Sequence, residues 1–231
     1  MQINESIVTE VSGFHSSMKE DPYHRFRSWE HCYGFFQTNQ NDIELASLHL
    51  AFYLASWGMY RGSSSLLQKD YRIHHSVVQK MLDARNANLK DLSFDSFSIN
   101  KAGDIDESSE VVKDIFGLIE WMRSLDNAPY HDAGVVVTDT LATKILLGTL
   151  GCMPAYDRFF IDGIRDTGEI KHSQLTPRNF SRMVTFCKKR RAEFEAAQQT
   201  VSQNSIKYPL MKIIDMYFWR KGRGPTATHG T

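Results

Sequence analysis

Large apolar side chains recur at three- and four-residue steps along this chain, and a 3.6-residue helix is what gathers such a pattern onto one face. Phe26, Trp29, Tyr33 and Phe36 keep the step in one segment, and Val112, Ile115, Phe116, Ile119 and Met122 keep it in another. The prolines agree with the periodicity. Pro22 precedes the first strong helix, Pro154 and Pro177 open others, Pro209 falls in another's first turn, and Pro225 lies in the tail. Proline suits a first turn because its missing N–H has no partner there in any case. The one strand-like run, Gly134 to Val137, is too short to found a sheet.

The pattern predicts helices over Tyr23 to Gln37, 43–60 with Asp42 as cap, 65–87, from Ser109 to before Asn127-Ala128-Pro129, 138–150, 154–165, 177–201 and 207–220. Residues 93–107 read as loop, and Gly151 stops a helix. Residues 43–60 are apolar on nearly all sides, which marks a central, buried helix. The expectation is therefore all-α: a single compact domain over 1–221 with about seven to nine helices around that central helix, then a disordered tail over 222–231.

Charge and cysteine usage narrow the function classes. Lys plus Arg and Asp plus Glu each number 27, so the net charge is zero, which argues against a protein that simply coats nucleic acid. Cys32, Cys152 and Cys187 lie far apart with no Cys-x-x-Cys pair, so neither a disulfide framework nor a zinc knuckle is expected. His24 and His31 share a helix face, but no His-Glu-x-x-His or comparable ligand spacing occurs; no metal and no cofactor are expected. The N-terminus lacks a signal-peptide pattern, and the longest apolar run, Leu45 to Met59, is interrupted by Ser47, His49 and Ser56. The expected location is the cytoplasm, with no membrane partner.

Three segments carry candidate chemistry. In Thr138 to Arg165, a helix bearing Lys144 meets a glycine-containing bend and a second helix with Asp157 near its start. An acid there is held ionised by the helix dipole. A lysine facing it acts as a nucleophile or stabilises a departing base, while the acid supports positive charge on a sugar. These residues resemble the helix-hairpin-helix DNA glycosylases. Lys144 matches that family's lysine, Asp157 its aspartate, and Met153-Pro154-Ala155-Tyr156 its bend. Val135-Val136-Val137-Thr138-Asp139 stands where the family has a glycine-rich hairpin, and the spacing from Lys144 to Asp157 is several residues short. The resemblance implies an all-helical DNA-acting hydrolase that cleaves the N-glycosidic bond of a flipped base.

In the second segment, Ser56 to Asp70, Trp57, Tyr60 and Arg61 emerge beside a Gly-Ser turn whose hydroxyls can cap a helix or hold a phosphate. Trp57, Tyr60 or Tyr156 would stack on the base. Residues from Arg25 through Asp70 also resemble an uncharacterised bacterial protein family, which implies bacterial origin and nothing mechanistic. Third, Arg182, Lys188, Lys189 and Arg190 lie on one predicted helix and would hold the DNA backbone. Plainer roles stay open for each segment: Lys144 as a solvated charge, Asp157 as the mate of Arg158 or Arg165, Trp57 as core and the basic run as a solvated face. The alternative function is a non-enzymatic helical module that binds a protein or small ligand in a groove between helices.

Overall fold

The structure, a computed structural model, describes residues 6–38, 41–202 and 206–224. Among the described residues there are eleven α-helices, a few 3₁₀ turns and no strand. The all-α expectation holds, with more helices than the periodicity suggested. Gly134 to Val137 is turn and coil; the one β-bridge, Ile99 to Ile105, pins the 93–107 loop instead.

α1 (Ile7–Glu20), capped by the Ser6 hydroxyl, had no counterpart in the sequence reading. α2 (Arg27–Gln37) starts four residues later than expected, because residues 22–26 form turns in which Asp21 accepts from the Tyr23 N–H. α3 (Ile43–Ser56) is capped by Asp42, as its sequence implied. It is not the buried centre, however: Leu45, Leu48 and Phe52, one helical stripe, are 39–55% exposed. The expected 65–87 helix is interrupted. A 3₁₀ turn (Tyr71–His74), α4 (His75–Leu82) and another 3₁₀ turn (Ala84–Leu89) replace it, because Asp70 and Asp83 accept from nearby N–H groups and restart the chain. Ser63 to Ser65 therefore cap no helix; the Ser64 hydroxyl accepts from the Leu66 N–H, and Ser65 accepts from the Val136 N–H.

α5 (Glu110–Arg123) follows Ser109 and ends before Asn127, which instead precedes α6 (Ala128–Asp132). α7 (Asp139–Thr149), capped by Thr138, is buried from Leu141 through Thr149, and Gly151 at φ +67° stops it. Pro154 opens no helix. The chain stays irregular until Asp157, whose carboxylate caps α8 (Arg158–Asp166). Residues 177–201 are two helices, α9 (Pro177–Lys188), capped by Thr176, and α10 (Arg191–Val201). α11 (Leu210–Arg223) is buried from Leu210 through Trp219. It runs through Gly222, so the helical part extends past the expected boundary at 221; the expected tail from Pro225 lies outside the described residues.

The centre is thus α7 and α11, the helices with the longest unbroken buried runs among the described residues. α8 and α11 make the most extensive helix–helix contact described. Gly163 and Gly222 permit it. A Cβ at Gly163 would fall on the Phe218 carbonyl, 2.6 Å from its carbon, and one at Gly222 would fall on the Phe159 carbonyl, 2.8 Å from its carbon. This close crossing places the start of α8 and the end of α11 around one set of aromatic rings.

Candidate functional site

The structure brings Lys144 and Asp157 into contact. Lys144 Nζ donates to Asp157 Oδ2 at 2.9 Å, while Asp157 Oδ1 accepts from the Phe160 N–H at 3.1 Å. The acid is therefore at once helix cap and ion-pair partner. The Lys144 side chain is 3% exposed and that of Asp157 16%, so the lysine lies beneath the acid. The connecting loop is held against α7 from both sides. Thr143 Oγ1 accepts from the Tyr156 N–H at 2.9 Å, and Thr140 Oγ1 donates to the Tyr156 carbonyl at 2.9 Å. From α11, Asp215 Oδ1 accepts from the Ala155 N–H at 3.0 Å.

Asp215 belongs to a second buried pair that the sequence reading missed. Lys212 Nζ donates to Asp215 Oδ2 at 2.8 Å, and both side chains are almost fully buried. Opposite charges three residues apart inside the apolar run Leu210 to Trp219 were the available signal. Trp57 joins the two pairs: Lys144 Nζ lies 4.9 Å and Lys212 Nζ 5.6 Å from its ring centre. Both distances fall within the range of cation–π attraction.

Above this floor is a rim of guanidinium groups. Arg25 Cζ lies 5.3 Å from the Trp57 ring, Arg223 Cζ 5.2 Å from Trp219, and Arg158 Cζ 4.9 Å from Phe159. Trp219 packs edge-on against both Trp57 and Phe159, which links the three. Partial burial lowers the pKa of Arg25, the positive charges of Arg223 and Arg61 lower it further, and Asp157 opposes them, so these groups share one electrostatic neighbourhood. None of Arg25, Arg61, Arg158 and Arg223 has a carboxylate within ion-pair distance among the described residues. Cations without acidic mates among the described residues, with Arg25, Arg61 and Arg158 exposed and Arg223 half-buried, sit around aromatic rings and make a surface suited to an anionic ligand.

The other predicted site residues fall differently. The Trp57 ring stacks on Phe26 at 5.1 Å, so one face is already covered; its indole N–H is buried without a hydrogen-bond partner among the described residues. Tyr156 is 2% exposed and packs on Phe160, presenting no face to a base. Arg61 is exposed at the rim. Tyr60 is half-buried and its hydroxyl meets His74 Nε2 at 2.7 Å. Of the basic run expected on one helix, Arg182 and Lys188 lie on α9, exposed and half-buried, while Lys189 is exposed in the break before α10 and Arg190, also in that break, pairs with Glu169 at 2.6 Å and lies over Phe186. No side chain of that run is among the contacts described around Trp57 and Lys144. The rim residues Arg25 and Arg223 fell in the sequence within the predicted Tyr23 to Gln37 helix and in the tail, where Arg223 was a candidate extension of the basic run.

The three cysteines are buried and free, and burial raises their thiols, that of Cys152 to about 12. No group of three or more His, Cys, Asp or Glu positioned for a metal occurs among the described residues, and no described helix is long and apolar enough to cross a membrane. Comparison with known proteins brings no match: no family model, curated protein or solved structure is similar to the chain.

His74 makes the pH behaviour testable. It is fully buried, and burial, with the neighbouring His75 charge, holds its imidazole down at about 3 against an ordinary 6.5. Between those values the unfolded chain binds a proton that the folded chain does not, so stability falls as pH drops. The expected loss approaches about 1.4 kcal/mol per pH unit in that window and stops below it. Denaturant unfolding at several pH values should show a steeper acid decline for the native chain than for His74→Gln; equal slopes would contradict the assignment.

Proposed function

We propose that the protein acts on DNA at the face formed by Arg25, Arg61, Arg158 and Arg223, and that Lys144 and Asp157 beneath it are the reacting pair of a glycosylase-type site. The observation that carries the reading is the contact of Lys144 with Asp157 at 2.9 Å under a rim of guanidinium groups that have no acidic mates among the described residues. The rim fits phosphates, which guanidinium groups bind bidentately. The resemblance of residues 138–165 supplies the chemistry.

An ammonium already paired with a carboxylate has no lone pair with which to attack. The geometry therefore favours hydrolysis by water over a covalent intermediate on Lys144. In that reaction the bond between the sugar and its base breaks, the electron pair leaves with the base, and Asp157 offsets the positive charge left on the sugar. Water adds at the same carbon and its proton ends on the departed base, while Lys144 holds Asp157 in place.

Binding of labelled single- and double-stranded DNA over a salt series tests the reading. Affinity should fall steeply with salt, by a slope of about −0.7 to −0.9 for each phosphate contacted. Arg25→Ala with Arg223→Ala should flatten that slope by roughly two contacts. Base release from damaged and modified DNA, absent in Asp157→Asn, tests the chemistry. Negligible binding at roughly 50 mM salt, where phosphate contacts are weakly screened, would sink the whole reading. One observation favours the second reading in that case: the exposed stripe Leu45, Leu48 and Phe52 of α3 is the surface that a protein partner would cover.

A further inference from the structure

Three guanidinium groups gather about the Trp57 indole, and a different neighbour fixes each of them there. Arg25, just before α2, places its Cζ 5.3 Å from the Trp57 ring centre and 5.8 Å from that of Phe26. Arg61 folds back over Gly58, the residue after Trp57. A Cβ built on Gly58 would stand 2.7 Å from Arg61 Nε and 3.1 Å from its Cζ, so the guanidinium lies against bare backbone. The φ of Gly58, +79°, is one that glycine adopts at no steric cost. Arg223, at the end of α11, lies over Trp219, whose ring meets Trp57 at 6.0 Å and Phe26 at 5.5 Å.

Gathering like charges opposes folding, so the arrangement calls for an anion. Burial, then the charges of Arg223 and Arg61, lower the Arg25 pKa, and the carboxylate that opposes them, Asp157, is already paired with Lys144. None of the three has a carboxylate within ion-pair distance among the described residues. A phosphodiester inside a strand carries a single charge, and its neighbours lie further along, so a strand interior calls for cations set out in a track. The basic run expected to supply one, Arg182, Lys188, Lys189 and Arg190, is not among the contacts described around Trp57. A phosphate monoester instead concentrates about −1.5 to −2 charges on three free oxygens near neutral pH. Guanidinium forks bind such oxygens in pairs, so one monoester can engage several forks at one point.

We infer that Arg25, Arg61 and Arg223 bind a phosphate monoester rather than a diester inside a strand. Under the proposed function, on which the carrier's being DNA rests, the protein works at a phosphorylated strand end. The base released is then that of the end nucleotide, which stacks on one side only and leaves at less cost than an internal base.

Calorimetric binding to the intact chain at one fixed salt concentration tests this. The probes are a short single strand phosphorylated at its 5′ end, the same strand phosphorylated at its 3′ end, and a hydroxyl-ended strand two nucleotides longer, which matches their charge. One phosphorylated strand should bind at least about tenfold more tightly than the charge-matched one, the worth of one charged hydrogen bond. Arg61→Ala and Arg25→Ala should each bring the two within about threefold, with the thermal midpoint little changed because both residues are exposed. Equal affinity of all three strands for the native chain, or a preference that outlasts both substitutions, would overturn the inference and leave the DNA reading standing. Deoxynucleoside 5′-monophosphates and inorganic phosphate, titrated in parallel, separate the two readings. Saturable binding of either, lost in Arg61→Ala, with no binding of any strand, would remove the DNA reading and keep the monoester site. Silence of every probe would overturn both.

Discussion

Gly163→Ala should lower the thermal midpoint by roughly 4–12 °C, corresponding to a net loss of about 2–3 kcal/mol for a chain of this size. The added methyl would fall on the Phe218 carbonyl of α11, 2.6 Å from its carbon and 3.0 Å from the Phe218 Cα. Those neighbours are backbone atoms of a buried helix, which cannot swing aside as a side chain does, so α8 and α11 must separate. Overpacking of this kind ordinarily costs about 1–3 kcal/mol, and rigid neighbours place it at the upper end. Alanine's better helix propensity returns at most about 1 kcal/mol. Gly117, exposed on α5 with nothing within 4 Å of a would-be Cβ, is the matched control. Gly117→Ala should be neutral or stabilising by about 0.5–1 kcal/mol. Scanning calorimetry of both variants checks the pair; equal midpoints would mean that the two helices do not cross as closely as described. Because α8 starts at Asp157 and α11 ends at Arg223, Gly163→Ala should also weaken DNA binding.

Lys212→Met should be the most damaging of the charge substitutions, at about 3–5 kcal/mol, because it leaves the buried Asp215 carboxyl without its partner. Asp215 is 4% exposed and also accepts from the Ala155 N–H, so its misplacement loosens the loop that carries Asp157. The double variant Lys212→Met with Asp215→Asn should recover most of the loss, since asparagine keeps an acceptor for Ala155 and no charge remains buried. Asp157 is more accessible than Asp215, at 16% side-chain exposure, and water can solvate it in part. Lys144→Met should therefore cost less stability than Lys212→Met while removing any base release. Denaturant unfolding of the four chains separates the two lysines. If Lys144→Met proves as destabilising as Lys212→Met, the pair under the arginine rim is a structural brace like its neighbour, and the glycosylase-type chemistry loses its reacting pair.

Local chemistry was readable wherever the determining groups lie within a few residues of one another. The caps Asp42, Thr138 and Thr176 each accept the N–H of the residue three places on, and Gly151 adopts the left-handed conformation that stops α7. Boundaries set by distant groups were not readable. Residues 177–201 contain no proline or glycine after Pro177, yet the chain breaks at Lys189 and Arg190, where Arg190 turns to Glu169. Tertiary contacts outweigh propensity there. The Ser64 and Ser65 hydroxyls likewise serve a turn and the distant Val136 N–H rather than a helix start.

The sequence by itself determined that the chain is all-helical, because the 3.6-residue spacing of its apolar side chains leaves few other ways to bury them. It also determined that Lys144 and Asp157 stand on either side of one bend. Only the tertiary structure decided that they touch, that Lys212 and Asp215 repeat the pairing on the other side of Trp57, and that Arg25 and Arg223, nearly 200 residues apart in the chain, belong to one rim. The physical reason is the same in each case. Periodicity reports which face of a helix turns inward, but not which other helix it meets. That choice rests on close approaches such as Gly163 against Phe218, which no local pattern encodes.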